Sequence, residues 1–223
     1  MTDYKIIDTK ERIQADNDAA AATIRSKLLR EKTYFINLMG SPGAGKTSVL
    51  QNIIRALGDK YSIGVMEADV DDDVDAKTIA ATGAKVIQLH TGGLCHMDAD
   101  MTRRGLEELV VDDLDIVFLE NVGNLVCPAE FDTGSNINIM ILSVPEGDDK
   151  PLKYPLMFKV SNCLLVNKID TMPVFDFSLP KLRERVLSLN PNIEVFPVSS
   201  KDGAGFGAFI EWLDKKVTSW RSE

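Results

Sequence analysis

Hydrophobic residues follow two alternating patterns along this chain of 223 residues. Short apolar runs predict strands at residues 33–39, 61–68, 84–90, 115–121, 136–144, 160–167 and 193–198. Between these runs, apolar residues recur every three or four positions, which predicts helices at 48–57, 97–110, 179–189 and 206–217. The polar stretch 145–155 is predicted to be a loop. Strands that alternate with helices predict an α/β fold, with a mostly parallel sheet of about seven strands and helices on both faces.

The first 32 residues have a pattern of their own. Ile13, Ala20, Ile24 and Leu28 form a narrow apolar stripe, and charged residues occupy the other positions. This predicts a helix over 9–32, opened by Asp8 or Thr9 and packed against the domain, although an arm that binds a partner is an alternative. We therefore divide the chain into an N-terminal helix, 1–32, and a main domain, 33–223.

The first loop of the main domain carries a motif for binding phosphates. Residues 40–47 read GSPGAGKT and match G-x-x-x-x-G-K-[ST] at every defined position, between a predicted strand and a predicted helix. Backbone N–H groups of such a loop surround a polyphosphate, and the following helix dipole favours its negative charge. We expect Lys46 to contact the β- and γ-phosphates and Thr47 to bind Mg²⁺, in a P-loop NTPase fold. The expected nucleotide contacts are Gly40, Ser41, Gly43, Ala44, Gly45, Lys46, Thr47 and Ser48.

A second motif, N-K-x-D, predicts the base. Asn167, Lys168 and Asp170 follow a predicted strand downstream of the phosphate loop, in the order that GTPases use. The carboxylate of Asp170 can accept two hydrogen bonds from guanine, whereas adenine offers no matching donors. An unpaired carboxylate costs about 1–3 kcal/mol, which is roughly tenfold to a few hundredfold in affinity. The loop Ser199-Ser200-Lys201 is the expected second contact to guanine, so 33–223 is predicted to be a GTPase domain that binds GTP and GDP.

Acidic residues at strand ends are candidates for magnesium binding and catalysis. Five aspartates lie within residues 69–75, and of these Asp69 and Asp75 are the candidates for the Mg²⁺ shell, while the middle three are expected to face solvent. Glu120 lies at the end of the predicted buried strand 115–121, where such hydrolases carry a carboxylate linked to Mg²⁺ or water, and Gly123 has the spacing of a γ-phosphate contact. We expect Lys46, Asp75 and Glu120 to be catalytic. No glutamine follows Gly123 and no arginine is obviously placed in cis, so slow intrinsic hydrolysis is predicted.

Three further residues form a candidate site for a softer metal. Cys95 and His96 lie at a predicted helix start, where thiolates are favoured, and Cys127 lies four residues after Gly123. Sulfur and imidazole ligands suit Ni²⁺ or Zn²⁺. The alternative is two unrelated loop thiols and a surface histidine. The third cysteine, Cys163, lies inside an apolar run and is predicted to be a core residue.

The overall composition limits which classes of binding partner and which cellular compartment we expect. The formal charge of −9 and the pI near 4.8 argue against nucleic acid and anionic membranes as main partners. Three widely spaced cysteines do not suggest a disulfide framework, and no signal peptide or membrane-spanning run is apparent. We therefore expect a cytoplasmic protein with reduced thiols.

The chain resembles the hydrogenase nickel-incorporation GTPases, the HypB family. The similarity extends over residues 35–213 and includes GSPGAGKT, TGGLCHMDADM, ENVGNLVCP, SVPEGDDKPLKYP and NKID. The resemblance implies a GTP-driven homodimer that delivers nickel to [NiFe]-hydrogenase, with a maturation metallochaperone and the hydrogenase large subunit as partners. It also implies that Cys95, His96 and Cys127 form a metal site shared across the dimer axis, and that Lys153 acts near the nucleotide across the interface. We further hypothesise that the γ-phosphate draws Cys127 into place against the other two ligands.

One departure from the family pattern matters for nickel. Some relatives carry an N-terminal cysteine motif or a histidine-rich stretch, but residues 1–32 contain neither cysteine nor histidine, so tight N-terminal nickel binding is not expected. Two alternative functions stay open: nickel insertion into another enzyme such as urease, and a metal-storage or scaffold protein with a structural nucleotide. N-K-x-D gives no support to a third reading, a small-molecule kinase.

Overall fold

Seven parallel strands form one sheet within residues 9–69 and 74–222, the part of the chain that this computed structural model describes. The strands are β1 (Tyr34–Gly40), β2 (Ile63–Asp69), β3 (Lys85–His90), β4 (Ile116–Glu120), β5 (Ile137–Ser143), β6 (Cys163–Asn167) and β7 (Glu194–Pro197). The α-helices are α1 (Thr9–Glu31), α2 (Lys46–Leu57), α3 (Val74–Ala80), α4 (Ala99–Leu109), α5 (Lys150–Lys153), α6 (Pro155–Val160), α7 (Leu179–Leu189) and α8 (Phe206–Arg221).

The strand order places the ends of several strands beside the phosphate loop. The order is β3-β2-β4-β1-β5-β6-β7, so β1 lies between β4 and β5. Glu120 at the end of β4 is in register with Leu38 of β1 on one side and Glu67 of β2 on the other. Because the strands are parallel, the loops after β1, β2, β4 and β6 all leave the same edge, where α/β proteins bind their ligands.

The side chains of β1 alternate between apolar layers on the two faces of the sheet. Ile36 is fully buried among residues of α2 and α8, whereas Phe35 is fully buried among residues of α1 and α4. A third cluster, around Met39, joins β5 and β6 to α6 and α7. The predicted α/β fold with a parallel sheet and helices on both faces is therefore confirmed.

The N-terminal helix contributes to the second of these layers. Ala21, Ile24 and Leu28 of α1 are buried there, and Ala20, which the predicted stripe included, is only partly buried. Asp8 and the side chain of Ile13 lie outside the described residues. The division of the chain at residue 32 stays a prediction.

The prediction of a loop over 145–155 is wrong. The structure has a 3₁₀ turn at Val144–Glu146 and then the two short helices α5 and α6. Pro151 and Pro155 lie in the first turns of these helices, where proline is favoured because its fixed φ suits the helix and its missing N–H costs nothing. Val160 therefore ends α6, and β6 begins only at Cys163. None of the helices in the described part of the chain combines the length and the apolar composition needed to cross a membrane.

Candidate functional site

The loop after β1 forms one wall of a cavity of about 610 Å³. Gly43 and Gly45 have φ of +74° and +94°, a left-handed conformation that favours glycine. Lys46 is the first residue of α2 and lies on the cavity wall together with Thr47. Other predicted residues that line this cavity are Gly43, Gly45, Ser48, Asp69, Asp75, Glu120, Gly123 and Lys168.

Three carboxylates meet at this cavity, and two of them, Asp75 and Glu120, line its wall. One oxygen from each of Glu67, Asp75 and Glu120 lies within 4.8 Å of the others, and the Thr47 hydroxyl donates to Glu120 Oε1 at 2.9 Å. Glu67 and Glu120 are 3% and 2% exposed, whereas Asp75 is exposed. Asp69 lines the same cavity but is not among the three clustered groups. Oxygen ligands at this density are suited to Mg²⁺.

The environment of the two buried glutamates opposes their ionisation. Burial, and then the neighbouring Glu120, raise the pKa of Glu67 to about 10. Burial also raises the pKa of Glu120, while the positive charge of Lys46 acts in the opposite direction. Oε2 of Glu67 and Oε2 of Glu120 have no hydrogen-bond partner among the described residues. A divalent cation would compensate both the missing partners and the like charges.

Sequence reasoning missed Glu67, because we treated residues 61–68 only as an apolar strand. The available signal was an acidic residue inside that apolar run. Its place two residues before the end of β2, in register with Glu120, brings it into the cluster. The three aspartates between Asp69 and Asp75, which we expected to face solvent, lie outside the described residues.

The N-K-x-D segment lies against the phosphate loop and lines a second cavity of about 270 Å³, next to the first. Asn167 Nδ2 donates to the Ala44 carbonyl at 2.9 Å, and Lys168 Nζ donates to the Gly43 carbonyl at 2.6 Å. The exposed Asp170 lies on the wall of this cavity. The predicted residues on that wall are Gly45, Ser48, Asn167, Lys168, Asp170, Ser200 and Lys201.

The loop Ser199-Ser200-Lys201 holds Asn167 and Asp170 in place through hydrogen bonds, in addition to lining the cavity. The backbone N–H and the hydroxyl of Ser200 donate to Asn167 Oδ1 at 3.1 Å and 2.9 Å. Ser199 is fully buried, and its hydroxyl donates to Asp170 Oδ1 at 3.0 Å. On the other side of the phosphate loop, the Ser41 hydroxyl donates to Glu146 Oε1, a contact that the sequence did not suggest.

Cys95, His96 and Cys127 come together as predicted, although they lie in different loops. One ligand atom from each lies within 4.8 Å of the others, and all three residues are half-buried. The two cysteines are free thiols whose sulfurs are 2.7 Å apart, and Cys95 Sγ is 3.9 Å from His96 Nδ1. The ring of His96 stacks on Phe131, with 4.0 Å between centroids. Cys163, by contrast, is fully buried in β6, as predicted.

The surroundings of this cluster affect its protonation. The pKa of Cys127 is raised, first by its hydrogen bond with Cys95 and then by burial. Burial lowers the pKa of His96, which favours the neutral imidazole that binds metals. Asp98 caps α4 by accepting a hydrogen bond from Met101 N–H, so Cys95 lies before the helix cap rather than in the first turn. Two thiols and an imidazole this close together can hold a borderline or soft metal ion.

Comparisons with known proteins show which family this chain belongs to. The family model described as CobW/HypB/UreG, nucleotide-binding domain, matches residues 34–197. The hydrogenase maturation factor HypB of Rhizobium leguminosarum bv. viciae is 42% identical over 96% of this chain and 72% of its own length. The hydrogenase/urease maturation factor HypB of Helicobacter pylori is 37% identical over 99% of this chain and 91% of its own length.

A solved structure extends the similarity to three dimensions. The crystal structure of HypB from Helicobacter pylori in complex with nickel aligns with a TM-score of 0.87 and 36% identity, over 92% of this chain and 96% of that one. The residues matched by the family model include the phosphate loop, the N-K-x-D segment and the strands between them. The chain therefore belongs to the CobW/HypB/UreG family and, within it, to HypB.

Proposed function

We propose that this protein is a GTP-hydrolysing switch that delivers nickel during maturation of [NiFe]-hydrogenase. It acts in the cytoplasm as a homodimer, with a metallochaperone and the hydrogenase large subunit as partners. Three features support the proposal: a family model for nucleotide binding, relatives named hydrogenase maturation factors, and a Cys/His cluster close to the nucleotide cavity.

GTP is the proposed nucleotide because of the second cavity. Asp170 is held by Ser199 through one carboxylate oxygen, and its exposed carboxylate can accept the two guanine donors. Asn167 and Lys168 fix this loop to the phosphate loop, so base and phosphate contacts have a set spacing. We expect Asp170→Asn to lower GTP affinity roughly tenfold to a few hundredfold, measured with a fluorescent GTP analogue, and to favour xanthosine triphosphate. Unchanged preference for guanine would contradict this assignment.

Hydrolysis is proposed to use the carboxylate cluster and Lys46. The unpartnered oxygens of Glu67 and Glu120, with the Thr47 hydroxyl beside them, fit Mg²⁺, which when bound neutralises phosphate charge. Lys46 would stabilise the β- and γ-phosphates, and Glu120 and Asp75 would hold the metal's waters and the attacking water. No arginine is among the described residues that line this cavity, which supports slow turnover.

Nickel is the proposed cargo of Cys95, His96 and Cys127. Three ligands do not complete a metal shell, so a symmetric pair of chains that places two such sets face to face can complete each other's site. Leu94 and Val126, next to the ligands in sequence, are 50% and 51% exposed, and burial of these apolar side chains would favour a second copy at this surface. Zn²⁺ suits the same ligands and is the expected competitor.

A continuous set of hydrogen bonds between the two sites is the observation that carries the proposal. Asn124 N–H donates to the Gly40 carbonyl of the phosphate loop at 3.1 Å. The side-chain oxygen of Asn124 accepts from Cys127 N–H at 3.3 Å and from Val126 N–H at 2.7 Å. Asn121 Oδ1 accepts a hydrogen bond at 3.3 Å from the N–H of Met97, the residue that directly follows His96. The segment that would sense the γ-phosphate therefore also positions both halves of the metal cluster.

The decisive experiment measures Ni²⁺ and Zn²⁺ affinity, together with molecular mass by light scattering, in the presence of a GTP analogue or GDP. We expect tighter metal binding and more dimer with the analogue. Cys95→Ala should abolish the metal dependence, whereas Cys163→Ala, which removes a buried thiol outside the cluster, should keep it. Equal affinity and equal mass in both nucleotide states would refute the coupling.

Urease maturation is the second candidate, because the Helicobacter relatives are named hydrogenase/urease maturation factors. Nickel transfer to purified urease and hydrogenase apoproteins would distinguish the two functions. A storage protein would bind several ions per chain without multiple-turnover hydrolysis. Only two histidines and three cysteines in the whole sequence argue against storage.

A further inference from the structure

One side chain of the N-terminal helix connects the two segments that carry the cysteine and histidine ligands. Asn17 Oδ1 accepts from Ala99 N–H at 2.9 Å, and Asn17 Nδ2 donates to the Asp132 carbonyl at 2.9 Å. Ala99 lies three residues after His96 and begins α4. Asp132 directly follows Phe131, whose ring stacks on His96. The oxygen and the nitrogen of the Asn17 side-chain amide thus hold two separate segments, one next to His96 and one next to Phe131.

Further contacts fix α1 to the segment after Cys127. Arg25 forms two hydrogen bonds to the Asp132 carboxylate, at 2.5 Å and 2.6 Å, and a third from Nε to the Ser135 carbonyl at 3.2 Å. Asp132 Oδ1 also accepts from Gly134 N–H, and a Cβ at Gly134 would come within 2.8 Å of Ile24. The ion pair is more than a third exposed on the Arg25 side, so it adds little to stability. Its effect is to set where α1 lies.

We propose that Asn17 is a positioning residue for the Cys95–His96–Cys127 metal site, and that α1 thereby helps to set metal affinity. This rests on the proposed function only in that the cluster binds nickel. Asparagine suits the role because it offers one acceptor and one donor on a short side chain. Alanine removes both bonds. Aspartate keeps the acceptor for Ala99 N–H but places a carboxylate oxygen against the Asp132 carbonyl.

The test compares Asn17→Ala and Asn17→Asp with wild type and with Thr23→Ala. Thr23 is an exposed residue of the same helix, and among the residues that the structure describes its hydroxyl bonds only to the Ala19 carbonyl of that helix. Ni²⁺ affinity is measured by competition with a chelator, the site geometry by thiolate-to-nickel charge-transfer absorption, and GTP affinity with a fluorescent analogue. Circular dichroism and thermal unfolding show whether each variant is folded.

We expect both Asn17 variants to lose about tenfold in Ni²⁺ affinity and to change the charge-transfer spectrum, since supporting partners of metal ligands typically carry effects of this size. GTP affinity should stay the same, and Thr23→Ala should match wild type. If a folded Asn17 variant binds Ni²⁺ with wild-type affinity and spectrum, or if Thr23→Ala loses as much, the inference is overturned. A wild-type protein that does not bind Ni²⁺ through these cysteines would refute the proposed function instead.

Discussion

An alanine at position 45 would place a methyl group in the contact between the phosphate loop and the base loop. A Cβ at Gly45 would lie 2.5 Å from Asn167 Nδ2, the atom that donates to the Ala44 carbonyl at 2.9 Å. Gly43 provides a matched control in the same loop. It also has positive φ, but a Cβ there would have no heavy atom within 4 Å among the described residues.

The two substitutions separate backbone strain from the clash. A non-glycine residue in the left-handed region costs about 1–2 kcal/mol, and this applies at both positions. Gly45→Ala must also displace the buried Asn167 amide, and an unsatisfied buried polar group costs about 1–3 kcal/mol. We therefore expect the free energy of unfolding to fall by about 2–5 kcal/mol for Gly45→Ala and by about 1–2 kcal/mol for Gly43→Ala.

Urea denaturation of the nucleotide-free protein measures both losses, and a double-mutant cycle identifies their source. In an Asn167→Ala background no amide is left to clash, so Gly45→Ala should cost no more than Gly43→Ala. GTP affinity should follow the same order, because Asn167 links base and phosphate contacts. Equal losses for the two alanines, or an excess at position 45 that survives in the Asn167→Ala background, would refute the reasoning.

Three further predictions concern buried charge, the N-terminal helix and acid stability. Glu67→Gln should raise the free energy of unfolding of the metal-free protein at neutral pH by ~1–3 kcal/mol, because the raised pKa of Glu67 obliges its carboxyl to bind a proton on folding and the glutamine amide needs none. The same variant should weaken Mg²⁺-dependent GTP binding, and losses in both assays would contradict the assignment. Leu28→Ala should cost about 2–5 kcal/mol in urea unfolding, since Leu28 is 1% exposed, whereas Leu29→Ala at 48% exposed should change it by about 0.5 kcal/mol or less. Hydrogen bonds from Lys60 and Tyr61 lower the pKa of Asp214 below 3.8, so its stabilising effect is present above that pH and is lost as the pH falls through the folded-state pKa. Asp214→Asn should therefore flatten the profile of unfolding free energy as the pH falls below 3.8, and a variant whose profile runs parallel to that of wild type there would contradict this role of Asp214.

The sequence predicted the sheet well because each strand is a short apolar run followed by a recognisable helix or motif. The phosphate loop and N-K-x-D were predictable for the same reason: their backbone chemistry requires particular residues at fixed spacing. Glu67 escaped notice because its role depends on register with Glu120 across two strands, which no local pattern encodes. Asn17 escaped notice similarly, since its partners Ala99 and Asp132 are 82 and 115 residues away.

The cluster of Cys95, His96 and Cys127 was predictable from local sequence only in part. The adjacent pair suggested a ligand set, but only the crossing of two loops at one edge of the sheet brings Cys127 within reach of it. For residues 145–155 the local pattern itself was misleading, because we predicted a loop from a polar, proline-containing stretch that forms helical turns. There the prolines lie in the first helical turns, where they favour the helix that they would break elsewhere.

The backbone carbonyls and the backbone N–H groups of the phosphate loop have different partners. Three of its carbonyls accept from neighbouring segments: Gly40 from Asn124, Gly43 from Lys168 and Ala44 from Asn167. The amides that face the cavity remain the groups suited to phosphate, since anions bind N–H donors. A loop held at three carbonyls acts as a fixed support for the N-K-x-D segment and for the segment that carries Cys127. A change in nucleotide state should therefore move the segment after β4, which is tied to this support at Asn124, rather than the loop itself.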